Sequence, residues 1–405
     1  MRIRSVTLGT DVSYPLDLDD FAQFGAFQEE ARAGFSEVGL EVQTVRLATQ
    51  PFPEVLEGRS PEAAPSLAQS LETVCHEHGI DYCSIGPVTA VSADSDLSFI
   101  DAIPDVIRGT EAAFASVLVA GQGAGINLEA ISRSAEVIAA IAQTTPHGFG
   151  NLRLAVLGNC GPGSPFFPVS YHGGGATRFA VATEAADLAV EAFDGAGDLE
   201  KAHRRLRDGI EERAGVIEGA ARALEGTFGF EFGGIDFSLA PFPERELSIG
   251  HAIEALGVDA FGASGTLFAV AFVKRAIEAA HFERCGFSGV MLPVLEDRTL
   301  AERTVDGTYT LDSLLLYSTV CGTGLDTIPL PGDVGVEELA AILLDVATLS
   351  LVAGKPLTAR LMPIPGLEAG ELTAFDFEYF ANGRVMATRD VGASGILQRG
   401  GFWNL

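Results

Sequence analysis

Lysine is almost missing from this 405-residue chain: Lys201, Lys274 and Lys355 stand beside 23 arginines. Against 26 basic residues there are 55 acidic ones, a formal net charge of −29. Such a surface repels nucleic acid and anionic lipid, so neither is expected as a partner. It also does not draw an anionic substrate inward; local arginines or a metal must hold one. Cysteines number five and lie far apart. An odd, scattered set argues against a disulfide framework and for a reducing compartment. No uncharged apolar run reaches 18 residues, so no membrane span is expected. The first residues lack the apolar core and small-residue cleavage site of a signal peptide. A cytoplasmic protein is the expectation.

What is abundant is Ala, Gly, Leu and Val, within a hydrophobic share of 47%. That suits buried parallel strands with helices packed closely on them. Strand-like and helix-like segments alternate along the chain. Strands are expected at Arg2 to Leu8, Glu41 to Leu47, Ile80 to Ile85, Ser116 to Ala120, Leu152 to Leu157, Ser288 to Val294 and Leu357 to Pro363. Helices are expected between them, a long one from Asp198 to Leu224. Phe375 to Met386 reads as a hairpin with Asn382-Gly383 at its tip. With no low-complexity linker and no internal repeat, the pattern predicts one α/β domain over 1–405. Loops after the strand C-termini are then expected to build the site.

The stretch from Tyr317 to Asp333 is the densest in constrained positions. It holds Cys321, the carboxylates Asp326 and Asp333, Thr323, three glycines and two prolines. It reads as a rigid loop that carries a thiol into a site, or as an ordered turn with Cys321 a small apolar residue. A second unusual loop runs from Asn159 through Pro165-Phe166 to His172-Gly173, and places an isolated imidazole. Asp236, Glu296 and Asp297 follow apolar runs and must be paired, hydrogen-bonded or metal-bound if they point inward. Arg360, inside an apolar strand pattern, either clamps an acidic group or pairs with one of these acids.

Other motifs are weaker. Gly121 to Gly125 precedes a helix as a dinucleotide loop does, but Ile126 stands where the third glycine belongs, so no nucleotide cofactor is expected. Asn127 reads as the N-cap there, at a helix end that can take an anion. Cys75-His76-Glu77-His78 lacks a second ligand pair at zinc-finger spacing. No nucleophile elbow, P-loop or HExxH occurs.

Cys321 to Asp333 resembles the most distinctive segment of domain-of-unknown-function family 711, also called uncharacterised protein family 0210. Ser84 to Pro87, Ala124 to Asn127, Asp236 to Pro241, Ser288 to Asp297, Lys355 to Leu361 and Pro363 to Gly366 fit in the same order. Pro165-Phe166 with His172-Gly173 fits too, with Ser164 where Asn is usual. The resemblance implies a ten-stranded α/β barrel similar to pyruvate formate-lyase and anaerobic ribonucleotide reductase, with a cysteine-bearing loop in the lumen. The stretch around Gly392 lacks the aromatic residue of a glycyl-radical segment, so a non-radical protein is expected.

These readings combine into an expectation: an enzyme acting on a small polar metabolite. Cys321, His172, Asp326 and Asp333 would be catalytic. Arg360, Asn127, Thr323 and Asn159 would bind substrate, and Asp236, Glu296 and Asp297 would hold a divalent cation if one is used. The alternatives are a sensor or carrier without turnover and a scaffold. A homodimer is expected by default.

Overall fold

The computed structural model describes residues 1–389 and 391–404. Eleven strands form one mixed sheet: β1 (Arg2–Gly9), β2 (Val42–Ala48), β3 (Tyr82–Thr89), β4 (Ala113–Gly121), β5 (Gly125–Asn127), β6 (Leu154–Gly158), β7 (Arg178–Glu184), β8 (Glu231–Ala240), β9 (Gly324–Pro331), β10 (Leu357–Ile364) and β11 (Phe402–Trp403). The main order is β8-β7-β1-β2-β3-β4-β6-β10-β9, with β5 and β11 hanging from the end of β4. β1, β2, β3, β4 and β6 run parallel. At either side a parallel pair, β7/β8 or β9/β10, joins them antiparallel. All eight residues of β9 and of β10 are buried, as expected where both faces of a sheet are covered.

Helices cover the outside. The longest, Leu199–Phe228, buries Ala202, Leu206, Ile210, Ala214, Ile217, Ala221 and Leu224. Their three- and four-residue spacing makes one apolar stripe. Asp198 caps its start by accepting from Lys201 N at 2.8 Å, and left-handed Gly229 ends it. No helix among the described residues is long and apolar enough to cross a membrane.

Several local readings need correction. The stretch expected as a loop from Tyr317 to Asp333 contains the edge strand β9 over its second half, Gly324–Pro331. Its prolines, Pro329 and Pro331, lack N–H groups, which an edge strand tolerates. Ser288 to Val294 is not a ladder strand, but an irregular connection. The Phe375–Met386 hairpin reduces to a single bridge between Leu372 and Arg384. The Asn382 amide holds that segment instead, exchanging hydrogen bonds with Phe375 N and Phe375 O. Helices at Arg298–Asp306 and Leu311–Tyr317 were not anticipated.

Residues 283–294 hydrogen-bond to both outer strands of the main order. Ile235 N donates to Glu283 O at 2.7 Å and Leu239 N to Gly289 O at 3.1 Å, both from β8. On the other side Gly322 N donates to Val290 O, and Val294 N donates to Asp326 O of β9. Asp236 pins this connection: its carboxylate accepts from Phe287 N, Ser288 N and Ser238 Oγ at 2.6–2.8 Å. Gly286 has a left-handed φ of 56°, and a Cβ there would run into the Asp236 carboxylate. Gly286→Ala is therefore expected to lower stability by at least about 2 kcal/mol in urea unfolding. An unchanged midpoint would mean that Asp236 does not anchor the connection.

Candidate functional site

Residues 164–172 lie against the same face of the sheet as a set of polar strand residues. Ser5 and Thr7 of β1 donate their hydroxyls to Pro165 O at 3.0 and 2.8 Å, and Ser84 of β3 donates to Ser170 O at 2.8 Å. Three hydroxyls in otherwise apolar strands thus satisfy carbonyls that have no ladder of their own. The segment divides two cavities. Phe166, Phe167, Pro168 and Val169 line one; Ser164, Ser170, Tyr171 and His172 line the other.

The larger cavity opens to solvent, and the empty space in it and at its mouth together comes to about 940 Å³. Its walls include Phe114, Phe167, Phe287 and Met291, and half-buried Tyr82, Phe377 and Tyr379 also line it. A chain of charges runs along it. Arg360 donates from Nε to Asp326 Oδ1 and from Nη2 to Glu296 Oε1, each at 2.6 Å. Glu296 Oε2 accepts from Arg4 Nη2 at 2.8 Å, and Arg4 and Arg2 share Glu184. The register explains how Asp326 meets Arg360. Leu325 pairs with Ala359 and Ile328 with Leu361, so Asp326 and Thr327 together oppose Arg360. That is a bulge, with Thr327 at a φ of 45°, and it turns the carboxylate onto the guanidinium. Burial pushes the Asp326 carboxyl up, Arg360 pulls it down, and Glu296 adds to the rise. Thr323 lines the same cavity, and its buried Oγ1 has no hydrogen-bond partner among the described residues.

Three of the expected site residues therefore meet here: Asp326, Arg360 and Thr323. Glu296 joins them as an ion-pair partner, where a metal ligand was expected. Asp236 and Asp297 do not join them. Asp297 caps the helix Arg298–Asp306 through Leu300 N at 2.9 Å and also accepts from Ser248 Oγ and Ile249 N, both at 2.7 Å. Among the described residues no three His, Cys, Asp or Glu side chains gather as a metal-binding group. Each expected ligand is instead saturated by donors of its own.

Asn127 and Asn159 serve the backbone. Asn127 accepts from Ala130 N at 3.1 Å as the expected N-cap and donates to Ala90 O at 3.0 Å. Asn159 accepts from Gln122 N and donates to Ser350 O. Asp333 is exposed beyond the end of β9 and lines neither cavity.

Cys321 is fully buried in the principal hydrophobic core and also lines neither cavity. Its Sγ accepts from Gly324 N at 3.3 Å, and its carbonyl accepts from Lys355 Nζ at 2.6 Å. His172 faces the smaller cavity with both ring nitrogens unpartnered among the described residues; Asp11 Oδ1 stands 3.8 Å from Nε2. The expected thiol–imidazole pair is thus not assembled, because Cys321 is buried in the core while His172 faces the smaller cavity. Arg4 and Arg46 lie in the larger cavity and were missed. An arginine within a strand pattern is the signal that marks Arg360, and Arg4 on β1 and Arg46 on β2 carry it as well.

Arg360→Met leaves Glu296 and Asp326 sharing burial without their common cation, and is expected to cost about 3–5 kcal/mol in urea unfolding. Adding Asp326→Asn to it is expected to restore roughly half of that loss, since the two sites are coupled. Cys321→Ser places a hydroxyl in an apolar setting and is expected to cost about 1–3 kcal/mol. Any small molecule found by native mass spectrometry should stay bound in that variant; its loss would return the thiol to the site.

Residues 1–379 match the family described as Uncharacterised ACR (DUF711). A UPF0210 protein of Methanopyrus kandleri is 33% identical over 401 residues, covering 91% of this chain and 87% of its own length. One from Pyrobaculum arsenaticum is 32% identical over 350 residues, covering 83% and 76%. Another, from Desulforudis audaxviator, is 31% identical over 386 residues, covering 90% and 83%. With the family match spanning nearly the whole chain and these relatives aligned along most of theirs, the protein belongs to the uncharacterised DUF711/UPF0210 family.

Proposed function

We propose that the protein is an enzyme that takes a small polar metabolite into the larger cavity and moves protons on it, with Asp326 and Glu296 as the proton-handling groups. Arg360 holds the two carboxylates in place. One observation carries this reading: a buried chain of charges faces an open cavity instead of a packed interior. Buried ion pairs add little to stability compared with apolar residues of the same size. A fold gains little by keeping three of them beside empty space, whereas a site gains directed carboxylates in a shielded medium. The upward push on Asp326 favours a group able to hold a proton closer to neutrality. Neither Cys321 nor His172 has a part in this chemistry, and no divalent cation is assigned to Asp236, Glu296 and Asp297.

We also read the sheet as a ring of ten members, with residues 283–294 as the tenth between β8 and β9. The hydrogen bonds to both edges support that reading and agree with the barrel implied by the family resemblance. In this reading the cavity is the lumen, the chain is one domain, and residues 375–381 cover one end.

One observation favours a second reading, a carrier or sensor without turnover: both carboxylates are already bonded to Arg360. The two separate experimentally. Native protein and an Asp326→Asn variant would be incubated with a pool of small organic acids, alcohols and amides, and the pool followed by mass spectrometry. The enzyme reading expects a compound that the native protein consumes and the variant binds but leaves intact. A compound retained by both and consumed by neither leaves the carrier.

A further inference from the structure

Arg46 is the only charged side chain lining the larger cavity that makes no ion pair among the described residues. It lies on β2 with 8% of its surface exposed. Its Nε donates to Thr44 Oγ1 at 2.9 Å, and Thr44 Oγ1 in turn donates to Arg4 O, which fixes the direction of the fork. Nη1 and Nη2 have no hydrogen-bond partner among the described residues. The rings of Phe167 and Tyr82 stand 5.2 and 5.6 Å from the guanidinium carbon. Burial, with Arg4 nearby, lowers its pKa to about 10, so it still carries its charge at neutral pH. A buried charge without a counter-charge is costly, and an apolar residue on β2 would pack here at no such cost.

The surrounding charges set the valence of what is absent. Among the residues lining the cavity, Arg4, Arg46 and Arg360 bring three positive charges, and Glu296 and Asp326 answer two of them. One positive charge is left, and it sits on Arg46. The two free ends of a planar guanidinium match the two oxygens of a carboxylate in parallel hydrogen bonds. A phosphate dianion would overfill the balance. Beside Arg46 stand Phe167 and Tyr82, with Phe114 packed on both, and Phe287 and Met291 also line the cavity; these walls suit an apolar body.

We propose that Arg46 receives the carboxylate of an organic monocarboxylic acid with an apolar body, and that such acids are the substrate class of this cavity. The inference rests on the reading that the larger cavity binds the metabolite. It gives the acid a direction: its carboxylate lies at Arg46, and its far end is free to meet Thr323 and Asp326 on the other strands of the wall.

Calorimetric titration with three probes tests it: phenylacetate, its neutral amide and phenyl phosphate. Phenylacetate is expected to bind native protein at least about tenfold more tightly than the amide or the phosphate, as expected when one charge-assisted contact decides the difference. Arg46→Met is expected to weaken phenylacetate by about tenfold or more while raising the urea midpoint, because a buried unpaired charge is removed. Arg46→Lys keeps the charge without the fork and should fall between. Equal binding of acid and amide, binding unaffected by Arg46→Met, or no binding of phenylacetate at millimolar concentration would overturn the proposal. Tighter binding of phenyl phosphate would overturn the carboxylate assignment. An Asp326→Asn variant that binds phenylacetate as the native protein does, in a protein that consumes no acid, would remove the enzymatic reading and leave Arg46 in its role.

Discussion

Glu296 stands between two guanidiniums that come from opposite sides of the sheet, Arg4 on β1 and Arg360 on β10. Much of the interior depends on this one carboxylate. Through Arg4 it reaches Glu184 at the end of β7, and through Arg360 it reaches Asp326 on β9. Strands that are not neighbours in the sheet are thereby tied across the cavity, where no backbone hydrogen bond can reach. Such a tie does not compress the space as apolar side chains would. A cavity survives because its walls are joined by charges that must keep their geometry.

The loop after that carboxylate illustrates how position decides the role of a residue. Glu296 and Asp297 are adjacent and chemically alike, yet one lines the cavity and the other closes two helix starts on the outside. The sequence pair reads as two acids at one strand end, the usual prelude to a cation site. Glu296 ends the turn that follows the connection 283–294 and Asp297 is the N-cap of the next helix, so the two side chains leave in different directions. Only the hydrogen-bond pattern distinguishes them.

The sequence carried the alternation of strands and helices, the long helix with its cap and terminal glycine, the N-cap at Asn127 and the family itself. These rest on local periodicity or short-range chemistry, which neighbouring residues fix. Arg360 was readable as a charge inside an apolar strand, and Asp326 and Thr323 as polar members of a constrained stretch, although that stretch reads as a loop and Asp326 lies in a strand. What failed was long-range pairing. Cys321 drew attention because constrained residues surround it, but those constraints belong to a strand bulge and to close backbone approach near Gly322 and Gly289. Residue type alone pairs His172 with Cys321, and the fold buries the thiol in the core and turns the imidazole to the smaller cavity. The expectation that strand C-termini build the site does not hold for the larger cavity. β8 brings its last residue, Ala240, whereas β1, β3, β4, β9 and β10 bring residues from their first halves.

The strip of chain from Ser164 to His172 has a different kind of consequence. Phe167 touches one compartment and His172 the other, with a few residues and three hydroxyl tethers between them. A partition with two faces obeys thermodynamic linkage. An occupant of the larger compartment that shifts Phe167 alters the tethered carbonyls, and with them the setting of the unpartnered imidazole. Any change in affinity that results must run in both directions by the same factor. The thinness of this wall therefore makes the two compartments one thermodynamic system, whatever each of them holds.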